Sequence, residues 1–466
     1  MGVPAGVPRG RVTVAVGVGQ VIEWFDWTLY ASFAVFFADS FFPADHGTTA
    51  LLSAFAVYAV GFLFRPLGGV VLGHCADRIG RSAVFNLTIL MMAGGSLAIA
   101  VLPTYEQIGT AAPVLLVLAR AVQGLSAGGE MPAATALVTE AVPAERRAFH
   151  SSSIFVGTGI GVLLASALGW FLTLALTQTQ MTDFGWRIAF GAGALIGCTG
   201  FVLRRSLRLS EPSAAAAAEL LPPTAPRKAR DAAPRKPRGR GRVRPSGIVR
   251  TARAQYRGVL RVVGFGIAAT VGFYTLTVYM PTYLTREVGM RPSTAFMINC
   301  IVLVFYSILP PFAGLAADRL GRRPVMGWSA LALAVVLVPS VALMSRDVGV
   351  TLPLLLGSIV LLTAFHGPFP ALMSEQFPAE ARGLGVGIAY SLVTALFGGT
   401  ATYLAVWFSA LGHPLWFFAY VSATFALAAV TLHAIPESAP RRTGGEAGPP
   451  AVSPPSALPN PPTDER

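Results

Sequence analysis

The sequence predicts an all-α integral membrane protein with twelve transmembrane helices in two related six-helix halves, and three observations predict it. Hydrophobic residues make up 54% of the 466 and charged residues only 12%, with a mean hydropathy of +0.61, far from the balance of a water-soluble domain. Stretches close to the ~20 apolar residues that a spanning helix needs recur about twelve times. Two short motifs recur in the same order on either side of a basic central segment.

The apolar stretches lie near 12–37, 51–72, 83–102, 113–139, 149–172, 185–203, 258–280, 294–313, 325–344, 351–373, 384–408 and 414–435. The first contains Glu23 and Asp26 and has no small-residue cleavage site, so it is expected to be a retained helix and not a signal peptide. Cys75, Cys198 and Cys300 show no metal-ligand spacing. Neither a disulfide, a metal nor another cofactor is expected.

Orientation follows from where the Lys and Arg fall. With the N-terminus inside, 28 of the 35 lie in cytoplasmic segments, 4 in exterior ones, and Arg65, Arg120 and Arg261 in or beside spans. Both termini are therefore expected on the cytoplasmic side of the inner membrane. The net charge of +13 does not point to nucleic acid, because residues 204–257 hold 15 Lys and Arg against Glu211, Glu219 and Asp231. That segment, with its AAAAAEL and PRKARDAAPRKPRGRGRVRPSG tracts, cannot bury a core and reads as a largely disordered cytoplasmic linker. The expected organisation is a six-helix half over 1–203, the linker over 204–257, a second half over 258–435 and a disordered cytoplasmic tail over 436–466.

The repeat is specific. GHCADRIGRS from Gly73 pairs with GLAADRLGRR from Gly314, and EAVPAERRA from Glu140 with EQFPAEARG from Glu375. GxxADRxGR matches at six fixed positions in both copies, each time in a short loop after the second span of its half. The glycines permit close helix approach, and Asp77 with Arg81 and Asp318 with Arg322 have the i,i+4 spacing of an ion pair. Gly73, Asp77, Arg78, Gly80 and Arg81, with Gly314, Asp318, Arg319, Gly321 and Arg322, are the candidate gating loops. Fixing topology is the simpler role for their charges.

At these residues the chain resembles the major facilitator superfamily. VIEWFDWTLY, RPLGG at Arg65, RAVQGLSAGGE from Arg120, WRIAF at Trp186 and ALFGGT near Gly398 are similar to its metabolite:proton symporter group. The stretches LPTYEQIGTAAPVLLVLARAVQGLSAGGE, FYTLTVYMPTYL and FPAEARGLGVGIAY look most like 2-oxoglutarate permeases within that group. There are departures: Ser82 stands where a basic residue is usual, and FVGTGIGVLLASAL in span 5 lacks the glutamine expected of an oxoglutarate carrier. The group also contains carriers of citrate, shikimate, proline and betaine.

Ionisable residues inside spans are costly, so each is a functional candidate. Glu23 and Asp26 stand three apart on one helix face and, with Glu130 after the SAGG of span 4, are the candidates for proton coupling. The competing role for either acid of span 1 is a permanent ion pair with an arginine. Arg65, Arg120 and Arg187 suit a carboxylate substrate, and Gln123 shares a helix face with Arg120. Arg187 could equally be an outer-boundary anchor. Tyr274 and Tyr390 complete the candidate substrate site from the second half, with interfacial aromatic belts as the competing role. His366 can titrate near neutral pH, but a helix histidine bonded to a neighbour is as ordinary.

The short loops carry no constellation of nucleophile, metal or cofactor residues, so an enzyme is not expected. The expected function is a monomeric, proton-coupled symporter of a small organic acid, driven by the proton gradient across the bilayer and working by alternating access. An osmolyte (proline or betaine) symporter and a non-transporting sensor on the same fold are the alternatives.

Overall fold

The computed structural model describes residues 9–43, 47–79, 81–128, 130–206, 254–378, 381–435 and 437, which are helices joined by short turns. The basic linker and the C-terminal tail lie almost wholly outside these residues. Hydrocarbon offers no partner to a free N–H or C=O, so a chain this apolar crosses it as helices whose backbone bonds are internal. Each expected stretch falls on one of twelve rods, in order.

In the first half the rods are α1 (Arg9–Phe41), α2 (Gly47–Ile79), α3 (Arg81–Val101), α4 (Ala111–Ser126, resuming as Glu130–Ala141), α5 (Ser153–Ala175) and α6 (Trp186–Ser206). In the second they are α7 (Tyr256–Phe273, continuing through Met280–Arg286), α8 (Pro292–Ile308, then Pro310–Leu320), α9 (Arg322–Ala342), α10 (Val348–His366, then Phe369–Glu375), α11 (Arg382–Val393, then Gly399–Ala410) and α12 (Pro414–His433). Among the described residues nine helices are long and apolar enough to span a bilayer, and Asn86–Val101 and Ala111–Ser126 are shorter apolar helices.

Three π-helical turns widen the backbone: Met181–Gly185 at the entry to α6, and Tyr274–Tyr279 and Thr394–Gly398 within α7 and α11. Such turns free backbone groups and recur at functional sites. The turns within α7 and α11 adjoin α2 of the first half: Phe62 lies against Tyr274, and a Cβ on Gly398 or Gly399 would strike Phe62.

Packing repeats with the sequence. In the first half α1 packs on α5, α2 on α4 and α3 on α6; in the second α7 packs on α11, α8 on α10 and α9 on α12. The halves meet through α2 with α11 and α5 with α8, two contacts that exchange when the halves exchange. Outward-facing side chains such as Phe171, Trp328, Val335 and Val430 are largely exposed and apolar, as a lipid-facing surface requires.

Candidate functional site

The site begins with a backbone contact. Gly124 of α4 lies against Gly61 of α2, and Gly128 lies against Arg65 and Gly68, so that a Cβ on either glycine would collide with main chain. Arg65 follows Gly61 by four residues and Arg120 precedes Gly124 by four, so each side chain stands one turn from the Gly61–Gly124 contact. The crossing thus delivers two buried arginines to one place.

Between them stands Trp27 of α1. The Arg65 guanidinium carbon is 4.1 Å from its ring centroid and that of Arg120 is 5.7 Å away. Arg120 also covers Tyr30 at 3.8 Å, and Arg65 covers Phe62 at 4.7 Å. Aromatic faces carry negative charge density and stabilise desolvated cations.

The two acids of α1 take different surroundings. Glu23 Oε1 lies 3.3 Å from Arg65 Nη2, a buried ion pair. Asp26 instead accepts hydrogen bonds from neutral groups, Gln123 Nε2 at 2.8 Å and the Ser96 hydroxyl, while Gln123 Nε2 is also 3.0 Å from Ser96 Oγ. Arg120 is fully buried, and none of its three guanidinium nitrogens has a hydrogen-bond partner among the described residues. The Tyr58 and Tyr274 hydroxyls and the Trp27 indole nitrogen are likewise without one there. Buried donors left unbonded cost free energy, and an anion accepting from them removes that cost.

From the second half, Tyr274 opens the wide turn of α7 with its ring 5.8 Å from Trp24 and 5.4 Å from Phe62. Tyr390 of α11 is half-buried and within electrostatic reach of Arg65 and Glu23. Arg65, Arg120, Gln123, Tyr274, Tyr390, Glu23 and Asp26 are thus brought into one region. Arg187 is not: it donates to the carbonyls of Ala100 and Leu102 at 3.0 and 2.7 Å, closing the end of α3, and lies over Trp186. The side chain of Glu130 lies outside the described residues.

His366 is fixed at both ring nitrogens. Nε2 is 3.1 Å from the Ala269 carbonyl, which can only accept, so Nε2 carries the hydrogen and Nδ1 accepts from the Tyr306 hydroxyl at 2.7 Å. Phe155 of α5 stacks on the ring at 4.5 Å.

A second cluster closes the face where α8, α10 and α12 end and α5 and α9 begin, called here the terminal face. Asp318 accepts from the backbone N–H of Ala148 and Phe149 at 3.1 and 2.9 Å, in and beside the short helix Arg147–Ser151 that leads into α5. Arg322 Nη2 is 2.9 Å from Asp318 Oδ1, and Nη1 pairs with Glu375, which also takes Arg147 at 3.2 Å. A Cβ on Gly314 would meet the Ala148 carbonyl at 2.7 Å, and Gly321 turns the chain at φ +104°. Arg319 lies in the last helical turn of α8. Of the first copy, Gly80 and the side chains at Gly73, Asp77, Arg78 and Arg81 lie outside the described residues.

Several members of both clusters carry no sequence prediction. Arg147 and Glu375 stand in the second repeated motif, which is the signal that could have found them. Trp27 stands four residues after Glu23 and Tyr30 four after Asp26 along α1, so helical spacing alone sets each beside one of the two acids. Ser96, in MMAGGSLA, gives no signal at all.

The family model described as Major Facilitator Superfamily matches residues 16–305 and 262–462. The chain is 34% identical over 421 residues to the alpha-ketoglutarate permease of Escherichia coli (strain K12), covering 89% of this chain and 91% of that one. It is 31% identical over 398 residues to the citrate-proton symporter of Klebsiella pneumoniae, with 85% and 84% covered. A putative proline/betaine transporter of Staphylococcus aureus (strain COL) is 31% identical over 414 residues, with 87% and 83% covered. The partially occluded inward-open xylose transporter XylE from E. coli superposes with a TM-score of 0.71 at 16% identity, over 93% of this chain and 99% of that one, which supports the fold. With the family model spanning both halves and relatives above 30% identity along more than four-fifths of its length, the chain is a multi-pass membrane protein that belongs to the Major Facilitator Superfamily, a secondary transporter and not an enzyme.

Proposed function

We propose that the protein is a proton-coupled symporter that imports a small organic acid, a di- or tricarboxylate such as 2-oxoglutarate, by alternating access. The observation that carries this is the pair of buried guanidinium groups on the Trp27 ring, one of them with every nitrogen unbonded among the described residues. Two forked cations close together match an anion with more than one carboxylate. Asp26, bonded only by neutral donors among the described residues, is the proton carrier, while Glu23 is occupied with Arg65. Loss of a proton from Asp26 places a negative charge beside Arg120 that competes with the bound anion, and this competition couples the two solutes. The relatives named for alpha-ketoglutarate and citrate carry the solute class these groups suit.

The osmolyte reading has one feature in its favour, the aromatic cluster of Trp24, Trp27, Tyr30, Tyr58 and Tyr274, since aromatic cages bind quaternary ammonium groups. Here Arg65 and Arg120 already cover the Trp27 and Tyr30 faces, and two cations repel a third. The carboxylate reading is therefore preferred.

Uptake by proteoliposomes under an imposed pH gradient, screened with 2-oxoglutarate, citrate, shikimate, betaine and proline, tests it. Accumulation of a carboxylate that collapses with the gradient is expected. Competition by betaine alone would sink the carboxylate assignment. For orientation, an impermeant thiol reagent is expected to label Gly47→Cys in intact cells and not Gly239→Cys, and the reverse pattern would invert the topology.

A further inference from the structure

Within α7 a proline removes a donor where the backbone needs one. Pro281 stands four residues after Thr277, and having no N–H it cannot bond the Thr277 carbonyl as an ordinary helix residue would. The hydroxyls of the turn do not supply the missing bond, since those of Thr275 and Thr277 both turn back, to the Val271 and Phe273 carbonyls at 2.7 and 2.6 Å.

The donor comes from α8. Asn299, 1% exposed, places Nδ2 3.1 Å from the Thr277 carbonyl and 2.9 Å from Ser166 Oγ. Its two amide hydrogens therefore serve opposite halves of the transporter, one the wide turn of α7 and the other α5. Asn299 is near the start of α8 and Ser166 is in the last two-thirds of α5, so the bond lies toward the face opposite the terminal face. The same turn presents Tyr274 to the central cluster, three residues before Thr277.

We propose that Asn299 is a positioning residue that ties the wide turn of α7, and with it Tyr274, to α5 of the other half. The amide replaces the bond lost at Pro281 and so sets the shape of α7 at the site. Its second hydrogen makes that shape conditional on closure between the halves at the far face. Substrate binding and far-face closure are thereby read by one side chain.

The proposal rests on the transport reading above, so one arm of its test needs no substrate. The first arm is 2-oxoglutarate uptake at varied concentration; the second is N-ethylmaleimide modification of Ser151→Cys, at the terminal face, with Cys75, Cys198 and Cys300 replaced by Ser. One hydrogen bond between neutral groups shifts an equilibrium by roughly three- to tenfold. Ser166→Ala is expected to keep KM within about twofold while slowing modification by roughly threefold or more, because the far face opens more often and the terminal face less. Asn299→Ala is expected to slow modification similarly and to raise KM by roughly three- to tenfold. Adding Pro281→Ala restores a backbone donor for Thr277, so the double variant is expected to recover KM while modification stays slow. Asn299→Asp, equal in size and lacking the donors, replaces Asn299→Ala if the latter does not reach the membrane. Unchanged modification in Ser166→Ala, or no recovery of KM by Pro281→Ala, overturns the proposal. Absence of 2-oxoglutarate uptake by the wild type counts against the substrate reading, and the modification arm then decides this one.

Discussion

In the α1–α6 half the interior around the site carries Glu23, Asp26, Arg65 and Arg120, all buried, on helices joined by glycine contacts backbone to backbone. In the α7–α12 half the facing interior carries Tyr274, Tyr306, Tyr390 and His366, the first and third of them on helices interrupted by wide turns at 274–279 and 394–398. Arg322, the one buried arginine among the described residues of that half, stands in the terminal-face cluster instead. The two halves share one packing plan, so the difference lies in side chains and local backbone, not in architecture. Charges in low dielectric need fixed partners, and the glycine contacts of the first half set the helices that carry them close together. A half that carries hydroxyls and rings bears less electrostatic cost when its helices flex.

The comparison breaks first, and most visibly, at the proton. Asp26→Asn is expected to abolish gradient-driven accumulation while leaving substrate exchange measurable, whereas His366→Gln in the other half keeps accumulation. If both Asp26→Asn and Glu23→Gln accumulate substrate normally, coupling lies elsewhere and Glu130 is the next residue to replace. The terminal-face cluster, as a proposed lock, gives the next largest effect. Glu375→Gln removes the carboxylate shared by Arg322 and Arg147, and N-ethylmaleimide modification of Ser151→Cys is expected to rise on the order of tenfold or more. An unchanged rate would show that the lock does not hold the terminal face closed.

Smaller effects sharpen the division. Arg120→Lys keeps the charge and loses the fork, so apparent affinity for a carboxylate is expected to fall by roughly 1–3 kcal/mol, more for Ala. Arg187→Lys, away from the site, is expected to leave affinity unchanged; equal losses at both positions would mean that affinity reports stability instead of contact. Tyr274→Phe removes one neutral donor of the second half, and the expected loss is about 0.5–1.5 kcal/mol. A loss at Tyr274 as large as that at Arg120 would erase the distinction between the halves.

The fold was legible because hydropathy and the repeated loop motif report it residue by residue. Glu23, Asp26, Arg65 and Arg120 of the candidate site stand out in the sequence too, since an ionisable side chain inside a span contrasts with its neighbours. What the sequence does not contain is partnership. Nothing in it says that Glu23 takes Arg65 while Asp26 takes Ser96 and Gln123, because those choices depend on which faces of α1, α2, α3 and α4 meet. Arg187 shows the same limit from the other direction: its charge marks it out, but only the packing of α6 on α3 shows it spent on two carbonyls. Asn299 was illegible for a third reason, since its role exists only where Pro281 has removed a donor on another helix.

The contact of Gly61 with Gly124 has a consequence for how the carrier discriminates and releases its cargo. Because two main chains touch there, the backbones that carry Arg65 and Arg120 stand at a fixed separation, and the rings of Trp27, Tyr30 and Phe62 hold the guanidinium groups on it like marks on a ruler. Both arginines ride on the same half, so on the proposed carboxylate reading the ruler keeps its length when the halves rock. An anion held there would meet the same measure from either side of the membrane and leave when the opposite wall withdraws, without its cations being pulled apart. Selectivity by length would then be equal in both directions, with the gradients alone deciding which way the solute travels.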